Sequence, residues 1–253
     1  MGVSEERETA WDMEREYIRP STYTSPMPDP TLVLDTGSPL VSVAVGRAGQ
    51  VVSERSVELG RSSALLLDMI REVLEEAGVA PADLGGIAVL RGPGSFTGVR
   101  IGLATALGLH QALGVQATGL DTLRALAASA EGTGGTVIAV VDALRGEWSA
   151  QVFAGGALPE PLSEELLVPG GELPGLAGGG PARVIGFGAA KLAGLPGWPA
   201  EIRIVEPGAL APAAVRLAAA PDLVWDPGLL IQPLYSRPPA ITPPRPRAAA
   251  EAR

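Results

Sequence analysis

Residues 86–109 read G-I-A-V-L-R-G-P-G-S-F-T-G-V-R-I-G-L-A-T-A-L-G-L. Three patterns follow one another here. Gly86–Leu90 is a short apolar run, the mark of a buried strand. Residues 91–98 form a Gly-rich turn carrying one Ser and one Thr. From 99 to 113 apolar residues recur without a polar face, and Gly114 supplies a left-handed stop. Strand, glycine turn and helix in direct succession make a unit of an α/β fold.

The flanking sequence extends that unit. Upstream, Thr31–Asp35, 41–45 and 51–57 read as three strands, the first two joined by T-G-S-P-L. Leu66, Met69, Ile70, Val73, Leu74 and Ala77 recur at helix spacing over 63–77, with Gly78 as the stop. Downstream, 116–119 is a strand, Asp121 is placed to cap a helix over 122–130, and 136–141 and 148–154 are strands. Beyond Gly155 the signal weakens: 184–187, Ile202–Val205, 209–219 and 229–235 suggest a smaller second lobe linked by Gly/Pro-rich segments. Acidic, Pro-rich residues 1–30 read as a disordered extension, and 237–253 as a loose Pro/Arg/Ala-rich tail. The division expected is 31–120 for the first lobe and 121–236 for the second. No internal repeat is evident.

Composition removes much chemistry. The 253 residues include no Cys, one His (His110) and one Lys (Lys191). A disulfide framework, a thiolate nucleophile, a two-His zinc motif and a Walker A lysine are therefore absent. No metal site is expected. Hydrophobic residues make up 46% and aromatics 4%, so the core must be aliphatic. A net charge of −9 disfavours stand-alone nucleic-acid binding, which needs clustered cations. No leader-like apolar segment and no 18-residue apolar run appear, so a soluble cytoplasmic protein with no membrane contact is expected.

Three features could carry chemistry. Asp35-Thr36-Gly37-Ser38 ends an apolar run. It matches half of an aspartic protease dyad, but no second D-[ST]-G follows, and that chemistry needs two carboxylates. It equally suits a turn that faces nucleotide phosphate in an ATP-dependent kinase, or a plain turn in which Gly37 supplies the backbone freedom. The second feature is the loop Arg91, Gly92, Gly94, Ser95, Thr97 and Gly98. Backbone N–H groups at a helix start bind anions, and Arg91 and Arg100 could add charge; a rigid turn plugged by Phe96 is the other reading. No base accompanies Ser95, so it has no case as a nucleophile. The third is the helix itself. Gly98, Gly102 and Ala106 form one row of small residues, and Ala104, Gly108 and Ala112 another. Small rows let neighbours approach closely. One suits the chain's own sheet; the other needs a second layer, from the same chain or a partner. His110 reads as a packed or rim residue.

The run 86–109, together with V-L-D-T-G-S-P-L-V-S-V-A-V, E-E-A-G-V followed by A-D-L, V-V-D-A-L-R-G-E-W and a closing L-Y-S-R-P-P, resembles the TsaB (YeaZ) family. The resemblance covers residue 31 to about 153 well. It implies a two-lobed actin-like (ASKHA, ribonuclease H-like) α/β fold, a mixed sheet flanked by helices, without catalysis or cofactor. It also implies a role beside TsaD, which transfers threonylcarbamoyl to N6 of a tRNA adenosine and carries a His pair for its metal. In that picture the N-terminal lobes pair through helices, and TsaE joins the assembly. tRNA is met only indirectly, and a homodimer of the free chain is left open. The interface would fall on Leu66, Met69, Ile70 and Val73 of the first helix and Val99, Gly102, Leu103, Ala106, Leu109 and His110 of the second. Asp35, Thr36 and Gly37 with the loop residues above are the candidate anion or nucleotide contacts. Gly60-Arg61-Ser62-Ser63 lacks the His many members carry there, and nothing in these residues supports the superfamily's old glycoprotease label.

Overall fold

The computed structural model describes residues 28–58, 62–130 and 134–237. The rest of the expected extension and the tail beyond Arg237 lie outside them, as do Gly60 and Arg61. Residues 28–30, read as part of a disordered extension, instead belong to the fold. Pro28 and Pro30 are buried. The Thr31 hydroxyl donates to the Pro28 carbonyl (2.6 Å), Gly85 N–H to the Pro30 carbonyl (2.9 Å), and Ala48 N–H to the Asp29 carboxylate (3.0 Å).

The first sheet contains β1 (Thr31–Asp35), β2 (Leu40–Arg47), β3 (Gln50–Glu58), β4 (Gly86–Leu90) and β5 (Gln116–Leu120), in the order β3-β2-β1-β4-β5. β1 pairs antiparallel with β2 and parallel with β4, which pairs parallel with β5. β1, β2 and β4 read as largely apolar runs because both faces are covered, whereas the edge strand β3 is mostly exposed. Leu32, Leu34, Val43, Val45, Ile87 and Val89 pack with α1 (Ser62–Glu76) and α2 (Phe96–Leu113). Val33, Ala44, Ala88 and Leu90 pack with α3 (Thr122–Ser129) and α4 (Ala211–Ala218).

The second sheet contains β6 (Thr136–Asp142), β7 (Glu147–Ala154), β8 (Glu160–Pro161), β10 (Ala182–Ile185) and β11 (Ile202–Val205), in the order β11-β10-β6-β7-β8, and β9 (Leu166–Pro169) also pairs with β7. Its connectivity repeats the first: an antiparallel run, then two strands added parallel beside the opening strand. The repeat is hidden in the sequence because the outer face here carries 3-10 turns, Gly170–Ala177 and Ala189–Gly194, where the first sheet carries α1 and α2. Only α4, after β11, matches α3, after β5.

Two segments do not join the second lobe as expected. α4 lies on β1, β2 and β3, with Gly46 close against Val215. The 3-10 turn Pro227–Ile231 packs on β5 and α2, and Leu234 N–H donates to the Arg91 carbonyl (2.8 Å). Apolar periodicity shows that such segments are buried, and says nothing of which sheet buries them. One hydrophobic cluster consequently runs through α3 and α4 and takes in residues of both sheets, among them Val33, Leu90, Val137, Phe153 and Ile185.

Candidate functional site

β1 ends in Asp35, whose side chain is fully buried. One carboxylate oxygen accepts the N–H groups of Gly37 (3.1 Å) and Ser38 (3.2 Å), closing the turn into β2. The other oxygen, and the Ser38 hydroxyl, have no hydrogen-bond partner among the described residues. Burial pushes the Asp35 carboxyl up to about 6, against the pull of its contacts with Ser38 and Gly37. The Thr36 hydroxyl donates to the Gly98 carbonyl (2.7 Å).

The Gly-rich loop exists to receive this turn. A Cβ on Gly94 would stand 2.7 Å from the Gly37 carbonyl oxygen, one on Gly98 2.1 Å from that of Thr36, and one on Gly102 2.2 Å from the Thr36 hydroxyl. Ser95 N–H donates to the Gly37 carbonyl (2.8 Å), while its hydroxyl caps the helix by accepting from Gly98 N–H (3.3 Å). The cap starts α2 at Phe96, three residues before the apolar pattern does. Carbonyl oxygens of the D-T-G turn thus occupy part of the space a bound anion would need at this helix end. Thr97 is exposed in the first turn. Gly92 takes φ +110° against the Leu234 carbonyl.

The arginines are engaged elsewhere. Arg91 forms a two-point pair with Asp121 (both 2.9 Å) and reaches the Gln232 carbonyl. Asp121 therefore makes no side-chain cap on α3, the role its position suggested. Arg100 bonds the Tyr235 hydroxyl (2.9 Å) and lies 3.8 Å over the Phe96 ring. The protease and kinase readings both require Asp35 to meet a ligand, and its carboxyl is 0% exposed.

A cleft of about 450 Å³ opens beside the turn, lined by Gly37 and Ser38, by the Pro93–Phe96 loop, by Asp142–Leu144 after β6, and by Tyr235–Arg237. Asp142 ends β6 as Asp35 ends β1, a correspondence that only the paired sheets reveal. Burial alone would push its carboxyl up, but the Lys191 ammonium and the Leu144 N–H hold it below the usual range. Arg237, in the cleft lining, pairs with Glu147. Tyr235, Arg237 and the Asp142–Lys191 pair were not singled out in the sequence as site residues; the closing L-Y-S-R-P-P was the one signal available.

Most candidate interface residues face inward. Leu66, Met69, Ile70, Val73, Val99, Gly102, Leu103 and Ala106 are buried in the chain's own core and offer a partner little free surface. A helix apolar all round offers no pattern to tell its sheet face from its outer face. Leu109 is half-buried; His110, also half-buried, donates from Nδ1 to the Val115 carbonyl (2.6 Å), closing the turn after α2. The outer face carries the second small row: Ala104, Gly108 and Ala112 are exposed, and a Cβ on Gly108 would meet nothing within 4 Å. On α1, Leu65 and Leu67 are exposed. Among the described residues no group of His, Asp and Glu is arranged to hold a metal, and no helix is long and apolar enough to cross a membrane.

Two sheets of one connectivity, facing each other across a cleft with an Asp-ended strand in each, define a two-lobed actin-like α/β protein. Comparison narrows the class. Residues 60–157 match the family model described as TsaD: tRNA N6-adenosine threonylcarbamoyltransferase. The chain is 33% identical over 125 residues to the tRNA threonylcarbamoyladenosine biosynthesis protein TsaB of Bacillus subtilis, covering 49% of this chain and 53% of that protein. It is 35% identical over 118 residues to the TsaB of Escherichia coli, covering 46% and 51%. The alignments thus span about half the length of these relatives. Among solved structures, a Pseudomonas aeruginosa protein described as similar to peptidase YeaZ superposes with TM-score 0.70 at 27% identity, over 82% of this chain and 99% of that one. YeaZ of the same organism superposes with TM-score 0.68 at 25% identity, over 81% and 99%. In sequence over about half its length and in fold over about four-fifths, the chain is similar to proteins of the TsaB/YeaZ family.

Proposed function

We propose that this chain is a non-catalytic, cytoplasmic subunit in the synthesis of N6-threonylcarbamoyladenosine on tRNA. It binds and supports TsaD through the outer faces of α1 and α2. The observation that carries the reading is the exposed row Ala104, Gly108 and Ala112 on α2, with Leu65 and Leu67 exposed on α1. Small side chains on one helix let a second helix approach closely enough to pack backbone against backbone. A single His in the sequence cannot supply the His pair that the resemblance assigns to TsaD, and the buried Asp35 is closed to substrate. The net charge of −9 supports a division in which the partner makes most tRNA contacts. TsaE joins the assembly, and in the free chain the same face is open to a second copy.

Co-purification with TsaD of the source organism tests this. The expected result is a stable complex, and loss of the modified nucleoside when the gene is deleted. No complex, with modification intact in the deletion strain, would contradict it.

A further inference from the structure

We propose that the cleft between the lobes binds an uncharged, largely apolar small molecule that presents a hydrogen-bond acceptor at one end. At about 450 Å³ the cleft lies within the range of about 300–1,000 Å³ usual for small-molecule sites. Phe96, Leu126, Val140 and Phe187 give it apolar walls. Of its polar side chains, Ser95, Asp142 and Tyr235 are paired within the chain, while Ser38 and Arg237 each keep one atom that is not. Among the described residues, three buried side-chain atoms lack a hydrogen-bond partner: Asp35 Oδ2, Ser38 Oγ and Arg237 Nε. Ser38, 3% exposed, and Arg237 both line this cleft. Buried polar groups without partners are rare in native proteins and mark places where something else supplies the bond. Arg237 Nε–H can only donate, so it asks for an acceptor; the Ser38 hydroxyl lies near enough to Asp35 to pull its carboxyl down but outside hydrogen-bond geometry with it, and can give or take.

The charges argue for a neutral occupant. The Arg237 charge is balanced by the Glu147 carboxylate, which Nη2 meets along with the Leu144 carbonyl. The Asp142 carboxylate in the lining is balanced by Lys191. An entering anion would meet Asp142, while Lys191 and Arg237 are already balanced by carboxylates and Ser95 N–H at the α2 end is already bonded to Gly37. This site is distinct from the partner face on α1 and α2, and the chain alone suffices to test it.

The probe is 2-naphthamide, titrated into the full chain by calorimetry, with 2-naphthoate and ATP–Mg²⁺ as charged comparisons. Saturable binding of the amide is expected, with 2-naphthoate at least about tenfold weaker and no saturable binding of ATP–Mg²⁺. Ser38→Ala and Arg237→Met should each weaken the amide about tenfold, the loss of one hydrogen bond. Thermal melts identify folded variants; if Arg237→Met does not fold, Ser38→Ala carries the comparison. No saturable binding of the amide, naphthoate or ATP–Mg²⁺ binding as tightly, or unchanged affinity in every folded variant would overturn the proposal.

Discussion

Asp35 and the glycines around it show how single residues decide this fold. Folding holds the Asp35 carboxyl at about 6, above its ordinary 3.8, so the folded state favours the protonated form. The stabilisation is complete below about pH 4 and is lost as pH rises through about 6, a swing of ~3 kcal/mol. Asn at this position has no such titration. Urea unfolding from pH 4 to 8 should show the stability of Asp35→Asn relative to wild type rising by about that amount; a pH-independent difference would contradict the burial. The glycines make a sharper contrast. Gly102 faces the Thr36 hydroxyl and Gly108 faces open space. Gly102→Ala should cost ~1–3 kcal/mol by overpacking. Gly108→Ala should gain up to ~1 kcal/mol from helix propensity. Equal effects in the same unfolding assay would mean that the two rows are misplaced. The sequence showed two rows of small residues at four-residue steps. It could not show which one meets β1, because that depends on a contact 66 residues away in the chain, between Thr36 and Gly102.

At the scale of elements, strands and helices of the first lobe were legible, since each has its own apolar period and its own stop: Gly78, Gly114 and the Gly-rich loop. Departures came where two elements share a job. Asp121 has the position of a helix cap, but the Arg91 guanidinium across the β4–β5 ends binds it more strongly than a lone N–H could. The reading of α1 and α2 as partner helices survives only on their outer faces, since Leu66, Met69, Ile70 and Val73 are core. Leu67, 67% exposed on α1, is the residue to test there. Leu67→Asp should leave the thermal midpoint unchanged while weakening TsaD binding about tenfold or more, the size expected for a central interface side chain. A lowered midpoint would instead mean that α1 buries this residue.

Across the whole molecule, the second lobe was the least legible part. Its outer face is covered by 3-10 turns with Gly and Pro, which carry no 3.6-residue period, and α4 returns to the first sheet. Because one core cluster spans both sheets, the lobes should unfold together. Single-tryptophan variants retaining Trp148, on β7, or Trp225, beside Gly86 of β4, should report the same urea midpoint. Two separated midpoints would mean that the lobes are independent. The candidate site was half legible: D-T-G-S and the glycine loop were visible as motifs, but their mutual packing, and the approach of Tyr235 and Arg237 to the cleft, are long-range facts. The proposal that a two-lobed chain with its Asp35 carboxyl sealed from solvent serves as a partner through one exposed helix row rests on α2. Calorimetric titration of TsaD into wild type and into Gly108→Leu tests it most directly. Saturable binding by wild type, at least about tenfold weakened in Gly108→Leu at a thermal midpoint no lower than that of wild type, is the predicted result. Absence of binding by wild type, or equal binding by the two proteins, would contradict it.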